Sequence, residues 1–548
     1  MYPMKSSRSL LFVSSLLLTS SISGLFANHH ENWPTWRPSS GNGVAENATP
    51  PVEWGEDKNI KWKTAIAGTG FSTPIVWEDK IFILSAEAVE DAPVEAAAQR
   101  RAQPPGGNAN AGGSGSPRGG GQGPGGGRGP GGQGGGAGGP GGPNPELIAE
   151  FDKDGDGELS EAERDALRTA MRARRGAGQG GPPQAQAGRG GRGQGQGGAG
   201  GGRQRRGGGN ATVQVTQVHQ FKVIALDRNS GEVIWEKLAV EEKPHEGHHP
   251  SHGYADASPV TDGEYLYVSF GSRGIFCYDL DGDLIWKKDL GDLRSRNGFG
   301  EAVAPSLAGD KLLVLWDQED QSMIYGLDKR TGEEMWSKER DERSSWTTPF
   351  IQEVNGKLQA IVPGTNATRS YDTETGDIIW EATGLTSNVI PTPVVGHGNV
   401  YVTSGYQGNS VQAIKLSSKG DVSDTSDVVW RVRESGSYVA SPVLSEKRLY
   451  VTKGIDAYLS CMDAMTGDYH YQDKKLDALR GIYGSPLAAN GHLYVVGREG
   501  TTVVLKDSEA FEIVATNKLD DKIDSSPIAL GGNLFLRGHN YLYCISEG

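Results

Sequence analysis

A short pattern of polar and apolar positions recurs eight times along this chain. Each copy opens with a small residue and a proline, and a run rich in apolar and β-branched residues follows. After a tight turn comes a second strand-like run, such as Leu266-Tyr267-Val268 or Leu449-Tyr450-Val451. The eight prolines are Pro74, Pro259, Pro305, Pro349, Pro393, Pro442, Pro486 and Pro527. From Pro259 onward they lie 41 to 49 residues apart, a period typical of propeller repeats.

Each copy continues with two further predicted strands joined by a glycine turn, as at Thr331-Gly332 and Thr466-Gly467. In five copies the third strand closes on an aspartate, and in six the fourth strand carries a large aromatic residue. The aspartates are Asp227, Asp279, Asp328, Asp372 and Asp463, and the aromatic residues are Trp235, Trp286, Trp336, Trp380, Trp430 and Tyr471. Four short strands with one large ring predict a β-propeller blade, because that ring fills the gap between neighbouring sheets.

The last two copies depart from the pattern. In the seventh copy Val514 stands where we expect the aromatic residue, and the eighth ends at Ser546 before a fourth strand. The segment Asn59–Thr64 near the N-terminus, which contains Trp62, can supply that strand and so remove the open edges of the ring. We therefore predict an all-β, eight-bladed β-propeller in which an N-terminal strand closes the last blade.

Composition divides the chain into an acidic body and a basic, glycine-rich insert. Of the 81 glycines, 41 lie between Arg101 and Asn210. The net charge is −14 overall and +5 in that window, so the remainder carries −19. Glycine-rich polar segments bury too little apolar surface to fold, which predicts a solvated tether. The predicted divisions are a propeller over 28–86 and 212–548, linkers over 87–143 and 177–211, and a small helical domain over 144–176.

The acidic body disfavours nucleic acid as a partner, because phosphates select clustered positive charge. The stretch Gly188–Gly193 is similar to arginine-glycine segments that bind RNA. An export signal at the N-terminus argues against that function. Lys5 and Arg8 precede an apolar run from Leu10 to Leu18, and small and polar residues continue to Ala27. This order is typical of a secretory signal peptide over residues 1–27.

The alternative to signal cleavage is an uncleaved anchor helix, which the several serines of the segment disfavour. Because no cysteine lies near the predicted cleavage site, the segment offers no lipid-attachment point. We expect a periplasmic or secreted protein that has no transmembrane segment after removal of the signal, and that meets other envelope or secreted proteins there.

The glycine-rich insert contains one calcium-binding motif, an EF-hand loop from Asp152 to Glu163. Its predicted ligands are Asp152, Asp154, Asp156, Glu158, Ser160 and Glu163, with Gly157 at the sharp turn. A hard cation prefers six to eight oxygen ligands, and this spacing supplies them. Asn144-Pro145 and the pair Ser160 and Glu163 also predict helix starts on either side.

The alternative interpretation is that Glu163 only caps a helix, but a cap leaves the three alternating aspartates unexplained. A lone EF-hand lacks a paired partner, so we predict a dissociation constant of ~10⁻⁴–10⁻³ M for Ca²⁺.

Three other groups of residues are candidates for a functional site. Cys277, Cys461 and Cys544 fall in one column of the repeat, which predicts small buried residues rather than redox chemistry. The cluster of His245, His248, His249 and His252 has metal-ligating side chains, yet Gly247 and Pro250 favour a solvated loop between blades. The acidic stretch from Asp317 to Asp320 predicts an exposed turn.

The repeat resembles the tryptophan-docking motif of the pyrroloquinoline-quinone (PQQ)-like β-propeller family. The lead-in Trp33–Pro38, followed by Gly41–Val44, is similar to the opening of exported bacterial members. The likeness covers roughly residues 33–86 and 212–548. The family includes quinoprotein dehydrogenases and non-catalytic members such as the outer-membrane assembly scaffold BamB. Quinoprotein alcohol dehydrogenases typically carry adjacent cysteines, which this chain lacks.

The resemblance implies two function classes. We favour a non-catalytic protein-interaction scaffold with calcium bound by the inserted EF-hand, since the repeat alone specifies packing. The alternative is a PQQ-dependent dehydrogenase that oxidises alcohols or sugars. A third hypothesis is that the glycine-rich arm anchors the protein to cell-surface polymers.

Overall fold

The computed structural model describes residues 32–38, 40–89 and 212–547. These residues form β-strands and two short 3-10 turns, Gly271–Arg273 and Arg296–Gly298. The predicted signal peptide and the EF-hand, with Asp152, Asp154, Asp156, Glu158, Ser160 and Glu163, lie outside the described residues.

Eight antiparallel sheets follow one another along the chain, so the predicted eight-bladed propeller is confirmed. Two strands precede the blades, β1 (Val44–Ala45) and β2 (Ile60–Ala65). Blade 1 contains β3 (Ile75–Trp77), β4 (Lys80–Ala88), β5 (His219–Asp227) and β6 (Val233–Glu242). Blade 2 contains β7 (Val260–Thr261), β8 (Tyr265–Ser269), β9 (Ile275–Asp279) and β10 (Leu284–Lys288). Blade 3 contains β11 (Ser306–Ala308), β12 (Lys311–Trp316), β13 (Ser322–Asp328) and β14 (Glu334–Arg340).

The remaining blades repeat this order. Blade 4 contains β15 (Phe350–Val354), β16 (Lys357–Val362), β17 (Thr368–Asp372) and β18 (Ile378–Ala382). Blade 5 contains β19 (Val394–Gly396), β20 (Asn399–Ser404), β21 (Ser410–Lys415) and β23 (Val428–Val432), with β22 (Gly420–Asp421) between the last two. Blade 6 contains β25 (Val443–Ser445), β26 (Arg448–Gly454), β27 (Asp456–Asp463) and β28 (Tyr469–Lys475), preceded by β24 (Gly436–Ser437). Blade 7 contains β29 (Leu487–Ala489), β30 (His492–Val496), β31 (Thr501–Lys506) and β32 (Ile513–Lys518). Blade 8 contains β33 (Ile528–Leu530), β34 (Asn533–Arg537) and β35 (Tyr541–Ser546).

The N-terminal strand closes the ring as predicted. Strand β2 pairs antiparallel with β35, and Trp62 lies opposite Cys544. The indole nitrogen of Trp62 then donates to the carbonyl of Arg228 in blade 1, at 3.1 Å. The first and last blades are therefore joined by both a strand and a side chain.

A β-bulge in every blade fixes where the aromatic residue points. In blade 1, Ala225 lies opposite Trp235 and Leu226 opposite Val233, so Ile234 is the extra residue. The same one-residue shift occurs at this place in all eight sheets. A bulge turns the following side chain, and here it turns the ring toward the next blade.

The docked tryptophans join their blades to the next through a hydrogen bond, except Trp380, whose buried indole N–H has no partner among the described residues. The indole N–H of Trp286, for example, donates to the carbonyl of Lys329 at 3.0 Å, and Trp430 donates to Ala464 at 2.9 Å. The turn glycine of the next blade lies under the ring. Gly332 has a φ of +71°, and a Cβ there would meet the Trp286 ring at 2.7 Å. Glycine is required at this turn for both reasons.

The structure corrects the aromatic position of the seventh copy. Val504 lies opposite Ala515, and Val514 is the bulged residue, equivalent to Ile234 in blade 1. The aromatic residue is therefore replaced by Ala515 and not by Val514. The error arose because a bulge shifts the side-chain alternation by one residue, which periodicity alone does not show.

The glycine-rich insert interrupts blade 1 between its second and third strands. Ala88 and His219 are paired at the ends of β4 and β5, although 130 residues separate them along the chain. Within the described part of the chain, no helix is long and apolar enough to cross a membrane.

Candidate functional site

The small residues that precede the repeat prolines meet at the propeller axis. All eight line one narrow cavity of about 140 Å³. They are Thr73, Ser258, Ala304, Thr348, Thr392, Ser441, Ser485 and Ser526. The first strand of every blade therefore lies nearest the axis, where only a small side chain fits.

Hydroxyl groups of these small residues around the axis hold adjacent blades together. The backbone N–H of Ser441 donates to the Ser485 hydroxyl at 2.9 Å, and that of Ser485 donates to the Ser526 hydroxyl at 3.0 Å. Equivalent bonds run from Thr73 to Ser258 and from Thr392 to Ser441, both 2.9 Å. The sequence pattern showed small residues here, but it did not show that their hydroxyls join the blades.

The lead-in segment crosses one end of the propeller, which we call the strapped face. Trp36 lines the narrow cavity, and the Arg37 guanidinium donates to the carbonyls of Ser441 and Pro442 in blade 6. Burial lowers the pKa of Arg37 to about 9. Strand β1 continues the segment by pairing with β29 of blade 7. The lead-in thus ties the first blades to the later ones across the axis.

The opposite end, which we call the open face, holds the candidate site. This axial cavity has a volume of about 340 Å³ and lies among the loops that enter each first strand. Six aromatic side chains line it: Phe71, Phe299, Trp346, Tyr406, Tyr438 and Tyr483. Its polar lining comes from the loop between blades 1 and 2 and from Asp524 between blades 7 and 8.

Both carboxylates of the axial cavity are engaged by protein donors. Asp256 is buried and accepts hydrogen bonds from the N–H groups of Phe71 and Gly253, while His252 Nδ1 lies 3.2 Å away. Asp524 accepts from the Arg498 guanidinium at 2.5 Å and faces His539 Nε2 at 3.0 Å. Burial opposes ionisation of both groups, but these hydrogen bonds and cations lower the pKa of each below its ordinary value.

The histidine cluster divides between the surface and the axial cavity. His245 is exposed and faces Asp292 at 3.2 Å, whereas His249 and His252 are half-buried and line the cavity. The prediction of a wholly solvated loop is therefore wrong. Burial, with the nearby His252 and Arg498 charges, lowers the pKa of His249. Among the described residues, no three metal-ligating side chains lie close enough to hold an ion together.

The predicted exposed turn at Asp317–Asp320 is wrong for its first residue. The Asp317 carboxylate is fully buried and accepts from the Arg340 guanidinium at 2.7 Å, and from the Ser345 hydroxyl at 2.5 Å. Asp320 is exposed, as predicted. The ion pair lies within blade 3, and the Ser345 bond ties that blade to its following loop. The acidic run gave no sign of this pair, because Arg340 lies 23 residues away along the chain.

The cysteines are structural residues, as predicted. Cys277, Cys461 and Cys544 are free and fully buried, and each lies opposite the aromatic residue of its blade. Burial raises the pKa of each thiol to about 12, which keeps the sulfur protonated. They lie in blades 2, 6 and 8 and none lines the axial cavity.

Comparison with known proteins identifies the repeat. The family model PQQ_2, described as outer membrane protein assembly factor BamB, matches residues 219–473. A curated relative, the outer membrane protein assembly factor BamB of Shewanella oneidensis, is 25% identical over 185 residues. That alignment covers 33% of this chain and 42% of the relative, so the chain spans less than half the length of this relative.

Three solved structures in which the chain follows a similar course are BamB and two alcohol dehydrogenases. BamB from Moraxella catarrhalis has 16% identity and a TM-score of 0.43, covering 59% of this chain and 91% of its own. The quinohemoprotein alcohol dehydrogenase of Comamonas testosteroni has 9% identity and a TM-score of 0.43, and the match covers 62% of this chain and 75% of the dehydrogenase chain. A europium-containing methanol dehydrogenase has 12% identity and a TM-score of 0.44, covering 60% and 82%.

Proposed function

We propose that the protein is an exported, non-catalytic interaction scaffold that binds other proteins of the cell envelope, because its repeats are similar to those of the PQQ-like β-propeller family. The observation that carries this proposal is the state of the axial cavity. Its two carboxylates, Asp256 and Asp524, are buried and already hydrogen-bonded to protein donors. Each carboxylate thus satisfies donors of the loops around the cavity, as expected of groups that hold those loops in place.

One observation favours the alternative of a quinoprotein dehydrogenase. The six aromatic side chains of the axial cavity form walls against which a flat ring system can stack. The other parts of such a site do not fit PQQ. The described residues bring no three metal ligands together, and Arg498, beside the cavity, already pairs with Asp524. The cysteines are buried in three separate blades.

We further propose that the EF-hand binds Ca²⁺ through Asp152, Asp154, Asp156, Glu158, Ser160 and Glu163. The support is the sequence spacing, which places oxygen ligands at positions 1, 3, 5, 7, 9 and 12 of the loop. In the full chain, calorimetric titration is expected to show one site with a dissociation constant of ~10⁻⁴–10⁻³ M. The variant Glu163→Gln is expected to weaken it at least tenfold, because it removes the bidentate ligand.

The matched control for this titration is Glu161→Gln, which changes the same charge at a loop position that is not a ligand. Equal affinity in the two variants contradicts the assignment, as does the absence of calcium heat in the unaltered chain at millimolar ion.

The scaffold is tested by capture. Purified full-length protein, immobilised and exposed to envelope extract with and without calcium, is expected to retain a small reproducible set of envelope proteins. An unrelated propeller of similar charge serves as the control surface. Retention of the same proteins by both surfaces, or of none, contradicts the proposal.

A further inference from the structure

We propose that the outer strand of blade 1, β6, is the edge to which a strand of the partner protein adds. This inference rests on the proposed scaffold function and names the surface that serves it. A strand at the edge of a sheet presents unpaired N–H and C=O groups, and partner peptides can extend the sheet there.

Strand β6 offers a longer edge than the outer strands of the other blades. It runs for 10 residues, whereas β2, β10, β14, β18, β23, β28 and β32 have 5 to 7. Its one partner among the described strands is β5. Ten residues give room for several main-chain hydrogen bonds to an added strand, so this edge is the best suited in length.

An exposed leucine distinguishes β6 from the other edges. Leu238 is 52% exposed and lies at a regular position opposite Lys222, three residues after the docked Trp235. The equivalent residues of the other blades are Asp289, Glu339, Thr383, Arg433, Lys474, Lys518 and Ala65. Charged side chains on an edge strand oppose pairing with another chain. At this position six of the seven other edges carry a charged or polar side chain, whereas β6 carries an apolar one.

Two further apolar residues extend the same strand. Val233 and Ile234 are 49% and 45% exposed. Ile234 is the bulged residue, and exposed apolar residues occupy the bulge in several other blades, so its exposure alone is not distinctive. With Leu238, the strand therefore has three exposed large apolar residues within its first six positions.

Blade 4 shows that an outer edge of this propeller accepts an additional strand. Strand β22, from the neighbouring repeat, pairs parallel with β18, with Trp380 opposite Gly420 and Glu381 opposite Asp421. Val422 follows and packs in the same cluster as Trp380, which is fully buried. The equivalent Trp235 of blade 1 is only half-buried. An added strand on β6 can cover it in the same way.

The charges around β6 indicate the chemistry of the partner strand. Glu232, Glu236 and Glu241 are exposed on or beside the strand. Lys237 pairs with Asp283 at 3.5 Å and Lys222 with Glu87 and Glu236, and Lys243 directly follows the strand, so from Glu232 to Lys243 four glutamates outnumber two lysines. The edge is therefore apolar and acidic. It fits an extended partner segment in which apolar residues alternate with lysine or arginine, and it disfavours a second copy of itself.

A defined peptide tests this edge directly. The probe is an end-blocked ten-residue peptide of alternating valine and lysine, and its binding to the full chain is measured by fluorescence anisotropy. We expect saturable binding that weakens at least tenfold in Leu238→Lys. The matched control is Ile378→Lys, which changes an equally exposed apolar residue on the covered edge of blade 4 and is expected to leave binding unchanged.

Two further peptides separate main-chain pairing from simple charge attraction. A valine-glutamate peptide is expected to bind at least tenfold more weakly, and a valine-lysine peptide with alternate N-methyl groups is expected not to bind. The inference is overturned by equal binding to Leu238→Lys and Ile378→Lys, by binding of the N-methylated peptide, or by no binding of the first probe up to about 1 mM.

The envelope capture distinguishes failure of this inference from failure of the scaffold. If Leu238→Lys retains the same envelope proteins as the unaltered chain, the β6 edge is wrong and the scaffold stands. If the unaltered chain retains none, the scaffold itself is wrong. A dimer of the unaltered chain in light scattering that Leu238→Lys abolishes assigns the edge to a second copy and also overturns the inference.

Discussion

Each docked tryptophan fills the gap between two blades with its ring, and the ring has a fixed orientation in that gap. Each ring packs between two blades and, except in Trp380, its N–H donates to a carbonyl of the next blade, as Trp286 does to Lys329. Burial of the ring contributes most of the free energy, and the hydrogen bond adds about 1 kcal/mol. The bond also selects one position of the ring over the turn glycine, Gly332.

Replacement of Trp286 tests how the stabilising free energy divides between burial of the ring and its hydrogen bond. We expect Trp286→Ala to lower the free energy of unfolding by about 3–5 kcal/mol, because it leaves a cavity between blades 2 and 3. Trp286→Phe keeps much of the ring and is expected to lose clearly less. Urea unfolding followed by circular dichroism measures both. The control is Val514→Ala, an exposed bulge residue, for which a change within about 0.5 kcal/mol is expected.

Equal losses in Trp286→Ala and Val514→Ala contradict the docking role of the ring. A loss in Trp286→Phe as large as that in Trp286→Ala contradicts the smaller share that we assign to the hydrogen bond.

A half-buried glutamate links stability to pH. Glu301 accepts hydrogen bonds from the N–H and hydroxyl of Ser272, and burial raises its pKa to about 7, with Glu246 adding to the shift and Arg273 opposing it. Between about pH 4.5 and pH 7 the folded state therefore holds a proton that the unfolded state has lost. Stability falls as the pH rises through this window, on the order of 3 kcal/mol in all.

We expect Glu301→Gln to remove this pH dependence, because glutamine does not ionise. Thermal midpoints at pH 5 and pH 8 are expected to converge in the variant relative to the unaltered chain. The exposed Glu353→Gln serves as the control and is expected to keep the original difference. An unchanged difference in Glu301→Gln contradicts the assignment of the proton to Glu301.

For single residues, the repeat pattern predicted which positions hold small buried side chains, but it did not predict which distant residue each side chain contacts. The burial of Cys277, Cys461 and Cys544 followed from the small residues of their column. Asp317 was predicted to be exposed because its counter-ion, Arg340, lies at the far end of β14, the outer strand of blade 3. Ala515 was missed because a bulge changes the alternation by one residue.

Among the elements, the closing strand determines whether the ring is complete. The N–H of Ile66 donates to the carbonyl of Asn540, and alternation along an antiparallel pair then places the N–H of Thr64 toward β35 and that of Lys63 away from it. The hydroxyl of Thr64 also donates to the carbonyl of Gly231 in blade 1, at 2.7 Å. Strand β2 therefore holds blade 8 to blade 1.

Proline substitutions distinguish the two sides of this strand. We expect Thr64→Pro to open the β2–β35 pair, since it removes a ladder hydrogen bond, and Lys63→Pro to be tolerated far better. Hydrogen exchange of Tyr541–Ser546, read by mass spectrometry, is expected to accelerate at least tenfold in Thr64→Pro. Similar exchange in the two variants contradicts the predicted register.

The predictability of the elements follows their hydrophobic pattern. Every blade was visible because its inner strands are apolar on both sides and separated by turns. The lead-in was visible only as a resemblance, because Trp36 lines the narrow axial cavity and Arg37 bonds to carbonyls of blade 6, and no local pattern encodes such contacts. Strand β22 was not predicted either, since two residues are too few to give a periodicity.

At the scale of the whole molecule, the propeller has two unlike ends. The strapped face is closed by the lead-in, and the open face holds the aromatic axial cavity. The cavity was not predicted from the sequence because its lining comes from loops of many blades, each contributing one or two residues. Only the loop with His249 and His252 was recognised as a candidate, and the fold was needed to bring Asp524 and Trp346 beside it.

We propose that this propeller binds proteins and that its axial cavity does not hold a quinone. Titration of the purified full-length protein with PQQ and Ca²⁺, followed by absorbance and by dye reduction with alcohols and sugars, tests this proposal. We expect no saturable quinone spectrum and no turnover. Saturable binding at micromolar PQQ, accompanied by substrate-dependent dye reduction, contradicts it.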